Sequence, residues 1–143
     1  MQVRQISVFM ENRAGRLQEI TSILAKANIN LRALSLADTS DFGILRLIVD
    51  RPDDAVKILR TEGFTIRENT VIACAIADHP GGLNSILNVL TKEGISIEYM
   101  YGFLGKHKDE AVMIIRVENT ETAIETLLEG GFTLLKGEHI YSM

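Results

Sequence analysis

The feature that most constrains this chain is that it is written twice. The stretch "MENRAGRLQEIT" (Met10–Thr21) is answered by "IADHPGGLNSIL" (Ile76–Leu87). Gly15 and Gly81 stand 66 residues apart, and the same offset sets Leu17 on Leu83, Ile20 on Ile86, Leu24 on Leu90 and Ile29 on Ile95. Further along the offset becomes 68, where Glu62-Gly63-Phe64-Thr65 meets Gly130-Gly131-Phe132-Thr133 and Ala55 meets Ala123. The second copy thus carries two extra residues, best placed near Lys106-His107-Lys108-Asp109. Several matches in order at a nearly fixed spacing indicate duplication. The 143 residues divide into two units, 1–69 and 70–143, each of the size of a small domain.

Each unit reads strand, helix, strand, strand, helix, strand. In the first, Ile6, Val8 and Met10 alternate with Gln5, Ser7 and Phe9, the period of a strand. Leu17, Ile20, Leu24 and Ala27 form one stripe of a helix, and Asn28 can end it in the left-handed conformation. Strands are predicted at 31–36 and 44–49, with turn chemistry at Asp38-Thr39-Ser40-Asp41 between them. Pro52 opens the second helix, Asp53 and Asp54 suit its positive end, and Gly63 stops it. The second unit repeats the order: strand 71–77, helix 82–92, strands 96–104 and 111–117, a helix over 120–129 capped by Asn119, and a last strand from about Phe132. The expected fold class is α+β: two tandem ferredoxin-like βαββαβ sandwiches, each an antiparallel four-stranded sheet with two helices on one face.

The strands are apolar on both sides. Leu45, Leu47 and Val49 alternate with Ile44 and Ile48, and Met113, Ile115 and Val117 with Val112 and Ile114. Strands of that kind are covered on both faces, whereas the helices cover only one. The second face is expected to meet the other repeat or another subunit, with Tyr99, Tyr101 and Phe103 adding contact area.

The repeated turn into the first helix carries the chemistry. The opening N–H groups of a helix have no intrahelical partner and bear partial positive charge. A glycine there lets a ligand approach the backbone, which makes a seat for a carboxylate or phosphate. Just before the turn stands Asn12 in one copy and Asp78 in the other, each an acceptor for an ammonium group. Asn30 and Ser96, matched by the 66-residue offset, are expected to reach the same cleft. Donors for a carboxylate beside an acceptor for an amine suit a free amino acid. The plainer alternative is a turn that only redirects the chain, with Asp78 as a helix cap.

Composition excludes other classes. Hydrophobic residues make up 46% and charged residues 24%, the balance of a globular protein. The net charge of −4 opposes a nucleic-acid partner, although RNA-recognition modules share this topology and use exposed aromatics like those of 99–103. No apolar run is long enough for a membrane span. Met1–Ile6 lacks a leader pattern and Cys74 is the single cysteine, so a cytoplasmic address and a buried inert thiol are expected. His79, His107 and His139 have no partner at metal-ligand spacing, so neither metal nor cofactor is expected. No phosphate-loop lysine, nucleophile elbow or metalloprotease pair is present, and the chain is not expected to be an enzyme.

"ENRAGRL" (Glu11–Leu17) and "DHPGGL" (Asp78–Leu83) resemble the D/N-x-P-G-x-L signature that opens the ACT domain. "ANINL" (Ala27–Leu31) and "EGISI" (Glu93–Ile97) resemble the family's exit from its first helix. The resemblance covers nearly the whole chain as two tandem ACT domains. It implies regulatory binding of an amino acid or similar metabolite near an ACT–ACT interface, a homodimer, and a separate metabolic enzyme as the regulated partner. It also implies the site: Asn12, Ala14, Gly15, Arg16, Leu17 and Asn30 in the first copy, and Asp78, Pro80, Gly81, Gly82, Leu83 and Ser96 in the second. The family's turn proline is kept as Pro80 but is Ala14 in the first copy, and a position the family can fill with histidine holds Met10 or Ile76. Asn12 and Asn30 rank the first copy ahead of the second. The alternative is an interaction subunit that docks on a partner enzyme through its sheet face and binds no metabolite.

Overall fold

The structure, a computed structural model, describes residues 1–38, 41–105 and 107–143. Thr39 and Ser40 of the expected hairpin turn and Lys106 of the charged run lie outside the described residues. In chain order the elements are β1 (Gln2–Glu11), α1 (Arg16–Lys26), β2 (Leu31–Asp38), β3 (Phe42–Val49), α2 (Pro52–Thr61), β4 (Thr65–Ala77), α3 (Gly82–Lys92), β5 (Ile97–Gly102), β6 (Glu110–Val117), α4 (Thr120–Glu129), β7 (Thr133–Leu135) and α5 (Gly137–Ser142). The fold is α+β, with the βαββαβ order present twice, as the repeat requires. Contacts divide the chain into a first unit, Arg4–Asn69 with Tyr141–Met143, and a second, Thr70–Ile140 with Met1–Val3.

In the first unit the strands lie in the order β2-β3-β1-β4. β1 pairs antiparallel with β3 from Ile6↔Leu47 to Glu11↔Phe42, and β2 with β3 from Leu31↔Val49 to Asp38↔Gly43, with a bulge between Leu31 and Ala33. Alternation puts Ile6, Val8, Leu45 and Leu47 on the face that packs with Ile20 and Leu24 of α1 and Leu59 of α2. All seven are at most 1% exposed, and each such side chain contributes about 1.5–3 kcal/mol of hydrophobic stabilisation. The other side of β1 holds a surprise of polarity: Gln5 and Ser7 are buried. They are satisfied in series, Gln5 Nε2 donating to Ser7 Oγ (3.2 Å) and Ser7 Oγ to Asn69 Oδ1 (2.9 Å).

The second unit repeats the layout as β7-β4-β6-β5. Cys74 of β4 pairs with Met113 on one side and Leu134 on the other, and Tyr101 of β5 pairs with Ile114 of β6. Ile72, Ile86, Leu90, Ile115 and Leu127 form its core. On the faces of β3 and β6 opposite Leu45, Leu47, Ile115 and Val117, the side chains of Ile48, Val112 and Ile114 are buried, while Ile44 is half-buried. Tyr101 is buried too, while Tyr99 and Phe103 are half-buried.

Local punctuation acts where the sequence places it. Asn28 takes φ +57°, Gly63 +87° and Gly131 +85°, each closing a helix in the left-handed region. Asn119 Oδ1 accepts the N–H of Thr122 at 3.1 Å and caps α4. Two features differ from expectation. The last strand of the first copy and the first strand of the second are one strand, Thr65–Ala77, because no glycine or proline interrupts that run. The chain also ends in α5, whose six residues are too few to show a helical period.

Candidate functional site

The turns after β1 and before α3 share one geometry. Gly15 (φ +88°) and Gly81 (φ +91°) are the N-caps of α1 and α3, both left-handed and neither helix capped by a side chain. No Cβ-bearing residue adopts that backbone without strain. In the first turn Arg13 N–H donates to Glu11 O (2.9 Å) and Arg16 N–H to Arg13 O (3.4 Å). In the second, His79 N–H donates to Ala77 O and Gly82 N–H to His79 O, both at 3.0 Å. The helical ladders then begin with Glu19 N–H to Gly15 O (2.9 Å) and Ser85 N–H to Gly81 O (3.0 Å). Between these bonds lie the amides of Leu17 and Gln18, and of Leu83 and Asn84, with no hydrogen-bond partner among the described residues. They are the unpaired donors at a helix's positive end.

In the first turn the exposed Asn12 is anchored from two sides. Its N–H donates to Asp41 O (3.2 Å) and its Nδ2 to Asp38 Oδ1 (2.8 Å). That leaves Asn12 Oδ1 as an acceptor beside the Asp38 carboxylate, the combination an ammonium group needs. Asp38 was legible only as turn chemistry; it joins the site because the β2–β3 hairpin ends beside the β1 exit, through Asp38↔Gly43 and Glu11↔Phe42. Arg16 supplies a cation at the first helical position. Its guanidinium lies 4.5 Å over the ring of Phe64 and Nη1 meets Glu19 Oε2 at 2.9 Å; the side chain is 19% exposed, and Nε is buried with no acceptor among the described residues. Ala14 and Gly15 are exposed and Leu17 is half-buried.

The second turn is built more tightly. A Cβ placed on Gly82 would lie 2.0 Å from Ala77 O, so only glycine fits there, and Gly82 is buried. Asp78 is exposed, makes no hydrogen bond among the described residues, and does not cap α3. It lines an open cavity of ≈560 Å³ with Phe103, Asp109, Glu110 and Met113. Pro80 O is 2.9 Å from His79 Nδ1, and Leu83 is 37% exposed.

Asn30 and Ser96 are not brought to the turn of their own unit. α1 returns the chain along the sheet, so β2 starts at the end where β1 began. Asn30 N–H donates to Asp50 Oδ1 (2.9 Å), and Asp50 N–H to Asn30 O (3.1 Å), beyond the Leu31↔Val49 pair. The length of β2, roughly 23 Å, separates Asn30 from Asn12. Ser96 likewise lines a cleft of ≈300 Å³ with Glu98, Glu118 and Asn119, at the far end of β5. Within a unit, then, the expectation of one shared cleft is corrected by strand direction.

Elsewhere, Cys74 is fully buried, and burial, aided by the charge of Glu110, pushes its pKa up to about 12. His107 and His139 come together, ring centroids 5.6 Å apart, though 32 residues separate them. Among the described residues no three or more histidine, cysteine or acidic side chains are grouped to hold a metal ion. No helix among them is long and apolar enough to cross a membrane.

Comparison with known proteins extends these findings. A family model described as an ACT domain pair matches residues 1–143. The crystal structure of protein BT0572 from Bacteroides thetaiotaomicron is 41% identical, with 100% of this chain and 98% of that one covered at a TM-score of 0.93. The ligand-free regulatory subunit of aspartate kinase from Thermus thermophilus superposes at a TM-score of 0.63 with 16% identity, covering 89% and 91% of the two chains. That from Thermus flavus gives 0.60 with 14% identity over 90% and 92%. At such identities the two kinase subunits show a shared fold. No curated protein matches the chain.

Proposed function

Since the chain belongs along its whole length to the ACT domain pair family, we propose that it is a non-catalytic regulatory protein whose ligand is an amino acid. The carrying observation is the first turn: unpaired amides of Leu17 and Gln18 at a helix's positive end, one residue from Arg16, with Asn12 Oδ1 and Asp38 at the same strand exits. In this reading the amides take the α-carboxylate, and Asn12 with Asp38 takes the ammonium group. Gly15 keeps the approach open, and Ala14 and Leu17 flank it. The corresponding residues of the second copy, Asp78, Pro80, Gly81, Gly82 and Leu83, form the homologous turn; Asn30 and Ser96 belong to this reading only if a neighbouring ACT domain brings them to a turn.

We assign the two domains to 1–69 and 70–143 and place the seat near an ACT–ACT interface of a cytoplasmic homodimer. Regulation follows from binding one arrangement of the domains better than another, since a ligand shifts an equilibrium only by its differential affinity. The names of the Thermus subunits make a separate metabolic enzyme a reasonable partner for this chain as well.

Thermal unfolding with each common amino acid at millimolar concentration tests the reading. At 100 times its Kd, an amino acid that binds only the folded state stabilises it by about 2.7 kcal/mol. At least one is expected to raise the melting temperature, and Asn12→Ala to reduce that rise. A panel with no effect overturns the reading. The exposure of Leu36 (50%) and Leu104 (63%) favours the second reading, a subunit that docks on a partner without any metabolite. It requires Asn12→Ala to leave regulation intact.

A further inference from the structure

We propose that His107 and His139 form a two-histidine site for a borderline divalent transition-metal ion such as Zn²⁺ or Ni²⁺, on the second unit and apart from its glycine turn.

The two imidazoles meet with ring centroids 5.6 Å apart and planes at 84°. Metal–nitrogen bonds of about 2.0–2.1 Å set two imidazoles on one tetrahedral ion with their centroids about 5–6 Å apart. The planes then turn freely about those bonds, so a steep angle between them is compatible with a shared ion. The pair already has the spacing that such an ion sets. Packing is a weak reason for the contact, because His139 is exposed and His107 half-buried, and little surface is removed from water.

Comparing the two copies singles out the same two residues. Residues 39–41 join β2 to β3, whereas 103–109 join β5 to β6, and His107 lies in the longer connection. α5 follows the last strand of the second copy; in the first copy no helix stands at that place, and β4 runs on instead. Each histidine thus belongs to an addition to the repeated plan. Each is also held by local structure. Glu110 N–H donates to His107 O (3.1 Å) across a turn in which Lys108 takes φ +56°. His139 N–H donates to Lys136 O (3.0 Å), and the fully buried Ile140 beside it anchors α5.

Imidazole nitrogen suits zinc, copper and nickel, whereas magnesium and calcium take oxygen ligands. Each ring gives one nitrogen to the ion and keeps the other for a hydrogen bond. Two imidazoles are fewer than the four ligands of a structural zinc site, so water completes the coordination and the ion exchanges readily. The exposed Asp109 and Glu138, near the pair in sequence, favour a dication, and Lys108 and Lys136 oppose it. Phe103, Leu104, Lys108 and Asp109 of the same connection line the ≈560 Å³ cavity beside Asp78. An ion that ties His107 to α5 holds one wall of that cavity, which gives the second unit an input of its own.

Zn²⁺ alone, titrated into the full-length protein, tests the site by calorimetry and by imidazole resonances. One ion per chain is expected, with His107 and His139 perturbed together and His79 unchanged. His107→Gln and His139→Gln are each expected to weaken Zn²⁺ at least tenfold, and His79→Gln to leave it as it was. Mg²⁺ is expected to perturb neither ring, and a fall from about pH 7.5 to about pH 5 to release Zn²⁺ by protonating the ligands. Amide spectra without metal show whether each variant is folded, and the wild-type resonances decide the matter without either. No binding to wild type, perturbation of one ring without the other, or unchanged affinity in folded His107→Gln and His139→Gln would overturn the proposal. None of these outcomes depends on whether an amino acid binds at the first turn.

Discussion

Three glycines of the two turns are kept for two different reasons, and mutation separates them. Gly15 and Gly81 have nothing within 4 Å of an added Cβ, but their φ of +88° and +91° strains any other residue. Gly82 has ordinary backbone and no room. Gly15→Ala is expected to cost about 1–2 kcal/mol from backbone strain alone. Gly82→Ala is expected to cost about 1–3 kcal/mol, as overpacking does, and to displace the end of β4. Urea unfolding gives the magnitudes, and amide shifts at Ala77 distinguish the causes. Cys74 makes a second case at this scale. Burial raises its folded pKa to about 12, above the ordinary 9.0 of the unfolded chain. Between those values the unfolded state releases a proton that the folded state keeps. The contribution is therefore whole below pH 9 and is lost as pH rises, by up to about 1.4 kcal/mol per unit. Stability curves of wild type and Cys74→Ala from pH 7 to 11 are expected to diverge in slope only above pH 9. Equal slopes would contradict the burial argument.

Among the elements, β4 is enclosed in its second half, Val71–Ile76. Residues 73–75 pair with β6 on one side and β7 on the other, and all are at most 4% exposed. Their amides are expected to exchange with deuterium most slowly in the second unit, since opening them requires its global unfolding. Faster exchange there than in α3 would contradict that. The same strand shows what the sequence could and could not say. Positions with a single local cause were readable: the left-handed Asn28, Gly63 and Gly131, the Asn119 cap, and the alternating cores of β1 and β3. The continuity of β4 across Asn69 and Thr70 was not, because a strand passing from one copy into the next leaves no breaker to read. Nor was the burial of Gln5 and Ser7, whose hydrogen bonds reach Asn69, 62 residues from Ser7. The backbone of the proposed seat was legible, since Gly15 and Gly81 are the left-handed N-caps their turns require. Its long-range members were hidden, for Phe64 reaches Arg16 and Asp38 reaches Asn12 only after the sheet is assembled. Asn30 was misplaced for the same reason, since its sequence neighbours do not reveal at which end of the sheet β2 begins.

For the molecule as a whole, the duplicated pattern and the family match agree that one architecture was used twice. Where the copies join matters as much as how they differ. The unit boundary falls between Asn69 and Thr70, inside the thirteen-residue strand Thr65–Ala77. A flexible tether can lengthen by a residue at little entropic cost. A strand has no such slack, because one inserted residue turns every later side chain to the opposite face. The pairing of residues 73–75 with β6 and β7 accordingly depends on the parity of the strand that leads to them, so length is not free to vary across 66–76. In this protein a change of one residue at the join would act as a frameshift in three dimensions.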